Sequence, residues 1–350
     1  MKSPPTASPR NRCLDALKPR QPRSFKPLAG LRVLSLALNL PGPAALARLH
    51  ALGAQAHKIE PPAGDPMRTM CPPLYRAMHR GVLVRTLDLK TPAGQDALQQ
   101  ELRDANLLLT SFRPAALQRL GLGKRHLQRH HPALAGVAIV GQTGRSANLP
   151  GHDLTYQAQA GLIDAARLPP TLLADMTGAL LAVEAAMGAL MQAAPGVPGV
   201  HVQVALADAA SFAALPHSAG LTLSGALLGG ALPGYAVHPC RDGLVALAAL
   251  EPHFAAQLAA VAGGPGHAAT ARWCKAHTVA ELRALAREHD LPLEAWGGGD
   301  ARPGGVGESC GHQYASFERS KSSNRKGWIE VVNQAMRLRA LTPARTKDDK

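Results

Sequence analysis

The chain has 350 residues, of which 46% are hydrophobic and only 3% aromatic, and its formal net charge is +14. This length allows a large core and more than one domain, and small and aliphatic side chains must fill that core. The positive charge lies mainly at the two ends, and the body shows no cluster of Lys and Arg interleaved with aromatic residues, so we expect no nucleic-acid binding.

The first 26 residues are rich in Pro, Arg and Lys and lack the apolar core of a secretory signal, so we expect a disordered basic segment. The five cysteines are widely separated, with no C-x-x-C pair and no His at metal-ligand spacing, which predicts a reducing, cytoplasmic location and no metal site. The longest apolar stretches are interrupted by Glu184 and by glycines with Pro233, so we expect no membrane span.

From residue 31 onwards, short apolar runs alternate with helical stretches. LRVLSLAL predicts a strand, PGP a turn, AALARLHALG a helix and QAHKIE a second strand. VRTLDL, a helix over residues 91–105, NLLLTSF, a short helix after Pro114 and ALAGVAIV continue the pattern. Such alternation indicates right-handed crossovers, so we predict an α/β fold with a Rossmann-like, doubly wound parallel sheet in a large domain over residues 27–199.

A polar loop, GQTGRSANLPGHD, interrupts this pattern after Gly141. It leads into an Ala-rich region in which Asp175 stands at the head of a long apolar helix that ends near Gln192. An Asp at the beginning of a helix is usually a capping residue, and this is the first interpretation of Asp175.

The remaining sequence predicts a smaller α+β domain over residues 200–296. VHVQVALADAASFAAL reads as a strand and a helix, and YAVHPCRDGLVALAAL as a hairpin that turns at Asp242-Gly243, because this dipeptide adopts positive φ readily. A helix follows from about Pro252 to Ala262. Residues 297–350 become glycine-rich and then rich in Lys, Arg and Ser, so we expect a basic, disordered tail.

The common nucleotide-binding and hydrolase signatures are absent: the sequence has no P-loop, no G-x-G-x-x-G after a strand and no G-x-S-x-G. In an open α/β sheet, the ligand lies beyond the carboxyl ends of the strands. Residues 39–43 and 111–114 follow two of the predicted strands, and they are expected to face a loop with His152 and Asp153 and the helix that begins at Asp175.

Several segments carry a specific resemblance in a fixed order. The stretch PLAGLRVLSLALNLPGPAALARLHALGAQAHKIEPPAGDP is followed by LDLKTPAGQDAL, LLLTSFRPAALQRLGL, GQTG, PGHDLTYQAQAGL and LLADMTGALLAVEAAMGAL. VHVQVALADAA and the CRDG hairpin with ALEPHF extend the match to about residue 296. In this order the segments resemble the family III CoA-transferases of the CaiB/BaiF type, a family that includes the 2-methylacyl-CoA racemases.

The resemblance implies a CoA-transferase that moves CoA between carboxylic acids. Asp175 would attack the acyl-CoA thioester, and the resulting mixed anhydride would become an aspartyl-CoA thioester that the acceptor acid resolves. Backbone donors near Gln142 and Gly144 would stabilise the oxyanions. The resemblance also implies that Ser111, Phe112 and Arg119 cradle CoA, which is a substrate, and it implies no tightly bound cofactor.

The same resemblance leaves a racemase open. Gly151-His152-Asp153 and Glu251-Pro252 are similar to the racemase branch, in which His152 and Asp175 would exchange a proton at the α-carbon while Glu251 orients His152. This branch is favoured by Leu40, which stands near the position where transferases often have a Gln. The unusual C-terminal sequence leaves a third alternative, a CoA-binding homologue without turnover. The family forms interlocked homodimers, so the resemblance also implies a homodimer.

Overall fold

The computed structural model describes residues 24–163 and 166–297. The larger of its two sheets is wholly parallel, and its six strands are β1 (Arg32–Ser35), β2 (Gln55–Glu60), β3 (Leu83–Thr86), β4 (Leu107–Thr110), β5 (Ala135–Val140) and β6 (His201–Ala205). The strand order is β3-β2-β1-β4-β5-β6. The predicted α/β class and the Rossmann-like, doubly wound sheet are therefore confirmed.

Helices connect these strands and cover the sheet. They are α1 (Pro41–Ala51), α2 (Met67–Met70), α3 (Pro72–Met78), α4 (Pro92–Arg103), α5 (Pro114–Arg119), α6 (Lys124–His130), α7 (Asp153–Gln159), α8 (Leu173–Met191), α9 (Leu206–Ala213) and α10 (Leu215–Ser218). Pro41-Gly42-Pro43, which we predicted as a turn, forms the first turn of α1 instead. Proline is tolerated there because the first amide groups of a helix have no intrahelical acceptor.

Successive residues of each strand pack on opposite faces of the sheet. Val33 and Val137 belong to a core shared with α1 and α8, whereas Leu34 and Leu108 belong to a core shared with α4 and α6. Burial on both faces explains why the strands read as continuous apolar runs rather than alternating ones, as is usual in parallel sheets.

Helix α8 packs against the core of the sheet through the buried residues Ala179, Ala182, Ala186 and Ala189, all of them small. Because these side chains are so short, the helix lies close to the strands. By length and composition this helix would also be able to cross a membrane, but its alanine face is buried as in the core helix of a globular unit.

The smaller sheet is antiparallel and consists of β7 (Tyr235–Pro239), β8 (Gly243–Ala248) and β9 (Leu293–Gly297). The predicted hairpin at Asp242-Gly243 is confirmed by the pairing of β7 with β8, whereas β9 was not predicted. Helices α11 (Pro252–Ala262), α12 (His267–Ala276) and α13 (Val279–Glu288) pack on this sheet around a separate core that includes Val245, Trp273 and Leu282.

One observed boundary differs from the predicted one. We expected the smaller domain to begin at residue 200, but β6 is hydrogen-bonded to β5, and Val204 packs in the core of the larger sheet. The strand VHVQVA therefore completes the larger sheet. The predicted tails over residues 1–26 and 297–350 lie outside the described residues, except for residues 24–26 and 297.

The contact between α1 and β1 gives a stability test with a matched control. A Cβ added to Gly42 would overlap the buried side chain of Ala37, whereas a Cβ added to Gly188 in α8 would meet no atom within 4 Å. We expect Gly42→Ala to lower the free energy of unfolding by about 1–3 kcal/mol. Gly188→Ala should raise it by up to about 1 kcal/mol, because alanine favours the helix.

Chemical denaturation of the two variants and the wild type measures both effects. Equal free energies of unfolding for Gly42→Ala and Gly188→Ala would contradict the close packing of α1 against the end of β1.

Candidate active site

A cavity of about 430 Å³ lies beyond the carboxyl ends of the strands in the larger sheet. Strands β1 and β4 are neighbours there, although their following helices α1 and α6 pack on opposite faces, which opens a crevice between them. The cavity is lined mainly by apolar residues at the ends of β1 to β4, among them Leu36, Ile59, Pro61, Leu87, Phe112 and Leu120. Its size and lining are those of a small-molecule pocket.

The predicted segment Ser111, Phe112 and Arg119 follows β4 at this end of the sheet. The Phe112 ring lines the cavity, and the Ser111 hydroxyl oxygen accepts a hydrogen bond of 3.0 Å from the Leu38 amide, which ties the end of β4 to the end of β1. Arg119 is exposed and is not among the lining residues, although the next residue, Leu120, is. The segment therefore contributes a ring to the wall and a cation at the surface beside it.

Two further parts of the wall were not predicted as site residues. Pro61, Pro62 and Ala63 follow β2, and Lys90 follows β3 in the segment LDLK. Lys90 is exposed and adds a positive charge to an otherwise apolar lining. The sequence signal was available, because a polar residue directly after a parallel strand lies at the ligand-binding edge.

Asp175 lies in the first turn of α8, at the same edge of the sheet. Because α8 connects β5 to the parallel strand β6, it must run antiparallel to them and so begins where the strands end. The Asp175 amide donates a hydrogen bond of 3.0 Å to Oδ1 of Asp153, and Oδ2 of Asp153 accepts one of 2.5 Å from the Gln157 side chain. Asp153 thus caps α8 from a neighbouring helix, a role that Leu172 at the N-cap position cannot fill.

The Asp175 carboxyl has an unusual protonation equilibrium. Burial, and next the negative charge of Asp153, raise the pKa of Asp175 from its ordinary value of 3.8 to about 7. At neutral pH this group therefore exchanges readily between its acid and carboxylate forms. Such perturbed groups in clefts are typical of catalytic sites.

Tyr156 is a site residue that the sequence reasoning missed. Its buried hydroxyl lies against the Cα atoms of Gly141 and Gly151, and a side chain at either glycine would overlap it. Burial, and next the nearby charge of Asp175, raise the pKa of Tyr156, while Arg113 opposes this shift. Tyr156 therefore links the loop after β5 electrostatically to Asp175 and to the segment after β4.

The predicted oxyanion residues lie in the loop after β5. The Gln142 side chain donates a hydrogen bond of 3.0 Å to Oε1 of Gln159, at the end of α7. Gly144 has φ of +62° and begins a single turn of 3₁₀ helix, Gly144–Ser146. This conformation favours glycine and turns the chain sharply at the edge of the sheet.

The two residues that suggested racemase chemistry lie at the beginnings of different helices. His152 is exposed at the N-cap of α7, directly before Asp153, and its amide donates to the Thr155 hydroxyl at 3.1 Å. Glu251 is exposed at the N-cap of α11 in the smaller unit. Within residues 24–163 and 166–297, no hydrogen bond or ion pair joins Glu251 to His152.

Comparison with known proteins gives a consistent result. A sequence model described as CoA-transferase family III matches residues 28–296. The chain is 31% identical over 256 residues to a succinate–glutarate CoA-transferase of Agrobacterium fabrum, with 65% of this chain and 64% of that protein covered. It is 35% identical over 206 residues to a probable fatty acyl-CoA transferase of Mycobacterium tuberculosis, with 53% and 52% covered.

A solved structure of a CAIB/BAIF family protein from Brucella suis superimposes with a TM-score of 0.67 at 25% identity, and the match covers 77% of this chain and 84% of that one. The chain spans less than two thirds of the length of the two curated relatives above.

The pairing of Asp153 with Asp175 gives a direct test by titration. Asp153→Asn keeps an oxygen for the Asp175 amide but removes the negative charge, so the pKa of Asp175 should fall below about 7. It should remain above 3.8, because the burial of Asp175 persists. Carbon-13 NMR of labelled Asp carboxyl groups, with Asp175→Asn identifying the signal, measures the shift.

The exposed Asp96 in α4 supplies the control: Asp96→Asn should leave the titration of Asp175 unchanged. An unchanged pKa of Asp175 in Asp153→Asn would show that the charge of Asp153 does not act on it.

Proposed function

Because the chain belongs to CoA-transferase family III, we propose that it moves CoA between carboxylic acids, with Asp175 as the nucleophile. The observation that carries the proposal is the partly buried Asp175 carboxyl, whose pKa is raised to about 7 at the edge of the sheet where the cavity opens. The segment after β4 relates the Asp175 carboxyl to the cavity. Its Phe112 lines the cavity, and the next residue, Arg113, acts electrostatically on Tyr156, as Asp175 does.

The proposed reaction proceeds through Asp175 in four steps. The Asp175 carboxylate attacks the thioester carbonyl of the donor, the carbon–sulfur bond breaks, and a mixed anhydride and CoA thiolate form. The thiolate then attacks the Asp175 carbonyl, which releases the donor acid and leaves an aspartyl-CoA thioester. The acceptor carboxylate attacks this thioester, breaks its carbon–sulfur bond and forms a second mixed anhydride with Asp175. The released thiolate finally attacks the acceptor acyl carbonyl of this anhydride, which gives the new acyl-CoA and regenerates the Asp175 carboxylate.

The surroundings of Asp175 suit this chemistry. Burial leaves the carboxylate poorly solvated, so it is a better nucleophile than a surface carboxylate. Each attack places negative charge on a carbonyl oxygen, and amide groups of the loop from Gln142 to Gly144 are the candidates for stabilising it. We assign Tyr156 a place near the reacting carboxyl, since the charge of Asp175 raises its pKa and its hydroxyl packs closely against Gly141 and Gly151.

We assign the cavity to the nucleotide end of CoA. Its apolar walls and the Phe112 ring offer a surface on which an adenine ring can stack. The exposed Lys90 lies in the wall, and the exposed Arg119 directly precedes the lining residue Leu120. Ammonium and guanidinium groups are the usual partners of phosphates. CoA thus enters as a substrate and is held at the strand ends of β1 to β4.

A 2-methylacyl-CoA racemase is the second candidate, and one observation favours it. An acid with a pKa of about 7 both accepts and returns a proton at neutral pH, as racemisation through an enolate requires. His152, directly before Asp153, would be the partner base on the other side of the α-carbon, and Glu251 would orient it.

We also propose that the protein forms a homodimer. Large apolar side chains are exposed on the neighbouring helices α8 to α10, including Leu180, Phe212 and Leu215. A cluster of exposed apolar residues marks an interaction surface.

The reaction is tested by incubating the protein with 2-methylacyl-CoA in deuterated water, with and without succinate. Transfer predicts succinyl-CoA in the presence of succinate and a CoA adduct on the peptide that contains Asp175, both detected by mass spectrometry. Asp175→Asn should reduce the rate by about 10³-fold or more, because the nucleophile is lost. Glu184→Gln, at an exposed carboxylate of the same helix, should leave the rate unchanged.

The other outcomes identify the alternatives. Deuterium at the α-carbon without succinate would establish the racemase instead. Neither product, together with thermal protection by CoA, would identify a CoA-binding homologue without turnover, and the absence of both would contradict the proposed function.

The homodimer is tested by light scattering after size-exclusion chromatography, which should give twice the mass of one chain. Phe212→Lys should shift the mass towards that of a monomer, because it places a charge in the exposed apolar surface. Leu83→Lys introduces the same charge on the outer strand β3 and should leave the measured mass unchanged. A monomeric wild type would contradict the dimer.

A further inference from the structure

A cluster of charged and polar side chains is buried behind the wall of the cavity. Lys58 and Glu60 of β2 are fully buried, Asp65 is 2% exposed, and Tyr75 and His79 lie partly buried beside them. We call these five residues the Lys58 cluster. None of them lines the cavity, and Lys58 and Glu60 project from the opposite face of β2 to Ile59, which does line it.

The Lys58 ammonium occupies the centre of this cluster. Its Nζ lies 2.5 Å from Oδ2 of Asp65, 3.1 Å from Oε1 of Glu60 and 2.9 Å from Nε2 of His79. Nδ1 of His79 must carry the proton, because it lies 2.7 Å from the Tyr75 carbonyl oxygen, and so Nε2 is the acceptor for Lys58. All three protons of the ammonium therefore have acceptors. Glu60, Asp65 and His79 have the spacing of metal ligands, and here the lysine supplies the cation.

The charges in the cluster compensate one another. Burial by itself would raise the pKa of Glu60, but the hydrogen bond from Tyr75 and the charge of Lys58 hold it below its ordinary value. Burial, and next the charge of Lys58, lower the pKa of His79, in agreement with a neutral imidazole. A buried ammonium between two carboxylates is tolerated only when its hydrogen bonds are satisfied, as they are here.

The cluster holds both ends of the loop that forms one wall of the cavity. Glu60 precedes Pro61, Pro62 and Ala63, and its Oε2 accepts a hydrogen bond of 3.2 Å from the amide of Asp65, which follows them. The loop closes on itself through a hydrogen bond of 2.8 Å from the Gly64 amide to the Pro61 carbonyl oxygen. The position of this wall therefore depends on Glu60 and Asp65. The positions of these two carboxylates depend in turn on Lys58.

The cluster also holds the turn between β1 and α1. Oδ1 of Asp65 accepts hydrogen bonds from the Asn39 amide at 3.2 Å and from the Met67 amide at 2.9 Å. Asn39 has φ of +67°, a left-handed conformation that costs free energy in residues other than glycine. The hydrogen bond from Asp65 helps to keep this turn in place, at the crevice between β1 and β4.

We propose that Lys58 and Asp65 are positioning residues for nucleotide binding, which rests on the proposed function as a CoA-dependent enzyme. Through Asp65 and Glu60, the Lys58 ammonium fixes residues 61–63 and the β1–α1 turn in the geometry that accepts the adenosine bisphosphate end of CoA. The cluster itself does not touch the ligand. Its loss should weaken binding of every CoA compound equally and leave the chemistry at Asp175 intact.

The test compares Asp65→Asn and Lys58→Met with the wild type. Asp65→Asn keeps an oxygen for the Asn39 and Met67 amides but removes the charge that faces Lys58, so it perturbs the fold least. Isothermal titration with CoA and with adenosine 3′,5′-bisphosphate gives Kd, and steady-state rates give KM and kcat. We expect both Kd values and the KM for acyl-CoA to rise together by about tenfold or more while kcat changes little, the signature of lost uniform binding.

The matched control is Glu101→Gln at the other end of the sheet. Glu101 is 6% exposed and forms ion pairs with Arg32, at the beginning of β1, and with Arg85, so its substitution also disturbs a buried carboxylate. The thermal stability of Glu101→Gln should fall, whereas its Kd values for CoA and for the bisphosphate should equal those of the wild type.

Two results would overturn the proposal, and they differ. Asp65→Asn with reduced stability but unchanged Kd and KM would show that the cluster only stabilises the fold. A wild type that binds neither CoA nor the bisphosphate would contradict the proposed function itself, and the positioning role with it. If Lys58→Met does not fold, the Kd values of Asp65→Asn decide between these results.

Discussion

The parallel alignment of six strands is the constraint on which the site depends. It places all six carboxyl ends at one edge, so that loops far apart in sequence meet there. It also fixes the direction of α8, which must begin at that edge to connect β5 with β6. Asp175, Pro61 and Phe112 all follow the carboxyl ends of the strands for this one topological reason. The alanine face of α8 completes the arrangement, because it lets the helix lie flat on the sheet.

The same edge contains carboxylates in two opposite electrostatic environments. Glu60 and Asp65 are more deeply buried than Asp175, yet the ammonium of Lys58 lies between them, and its charge helps to hold the pKa of Glu60 below its ordinary value. Among the residues that the structure describes, no cation acts on the pKa of Asp175; the charge that does act on it is that of another carboxylate, Asp153, which raises it. The first pair of acids is thus stabilised by a cation, whereas the pKa of Asp175 is raised by a like charge.

The sequence predicted the architecture better than it predicted the site. Strand periodicity, helix length and the Asp242-Gly243 turn are local signals, and the parallel sheet and the hairpin followed from them. β9 was missed because its short run, LEAWG, becomes a strand only when β8 offers an edge to pair with. The start of the smaller domain was misplaced for a similar reason, since β6 pairs with β5, for example His201 with Gly136, 65 positions earlier.

For the site, Asp175, Phe112 and Ser111 were named from the resemblance; Phe112 lines the cavity, and the role of Asp175 stays a prediction. The Lys58 cluster was missed because its members are brought together from β2, the loop after it and α3, and only the fold reveals that Lys58 is fully buried. Tyr156 was missed for the same reason: in the sequence it is one of several polar or aromatic residues in α7. The raised pKa of Asp175 also could not be predicted from the sequence, because it depends on burial and on the charge of Asp153.

The tyrosine between two glycines has a consequence for how this sequence can diverge. Gly141 and Gly151 are not needed for positive φ; each leaves the volume that the Tyr156 hydroxyl fills. The residues at these three positions therefore constrain one another. A homologue with alanine at either glycine must have a shorter side chain in place of Tyr156, and one that keeps the tyrosine must keep both glycines. Substitutions at these sites are expected to occur together or not at all, although 15 residues separate the first from the last.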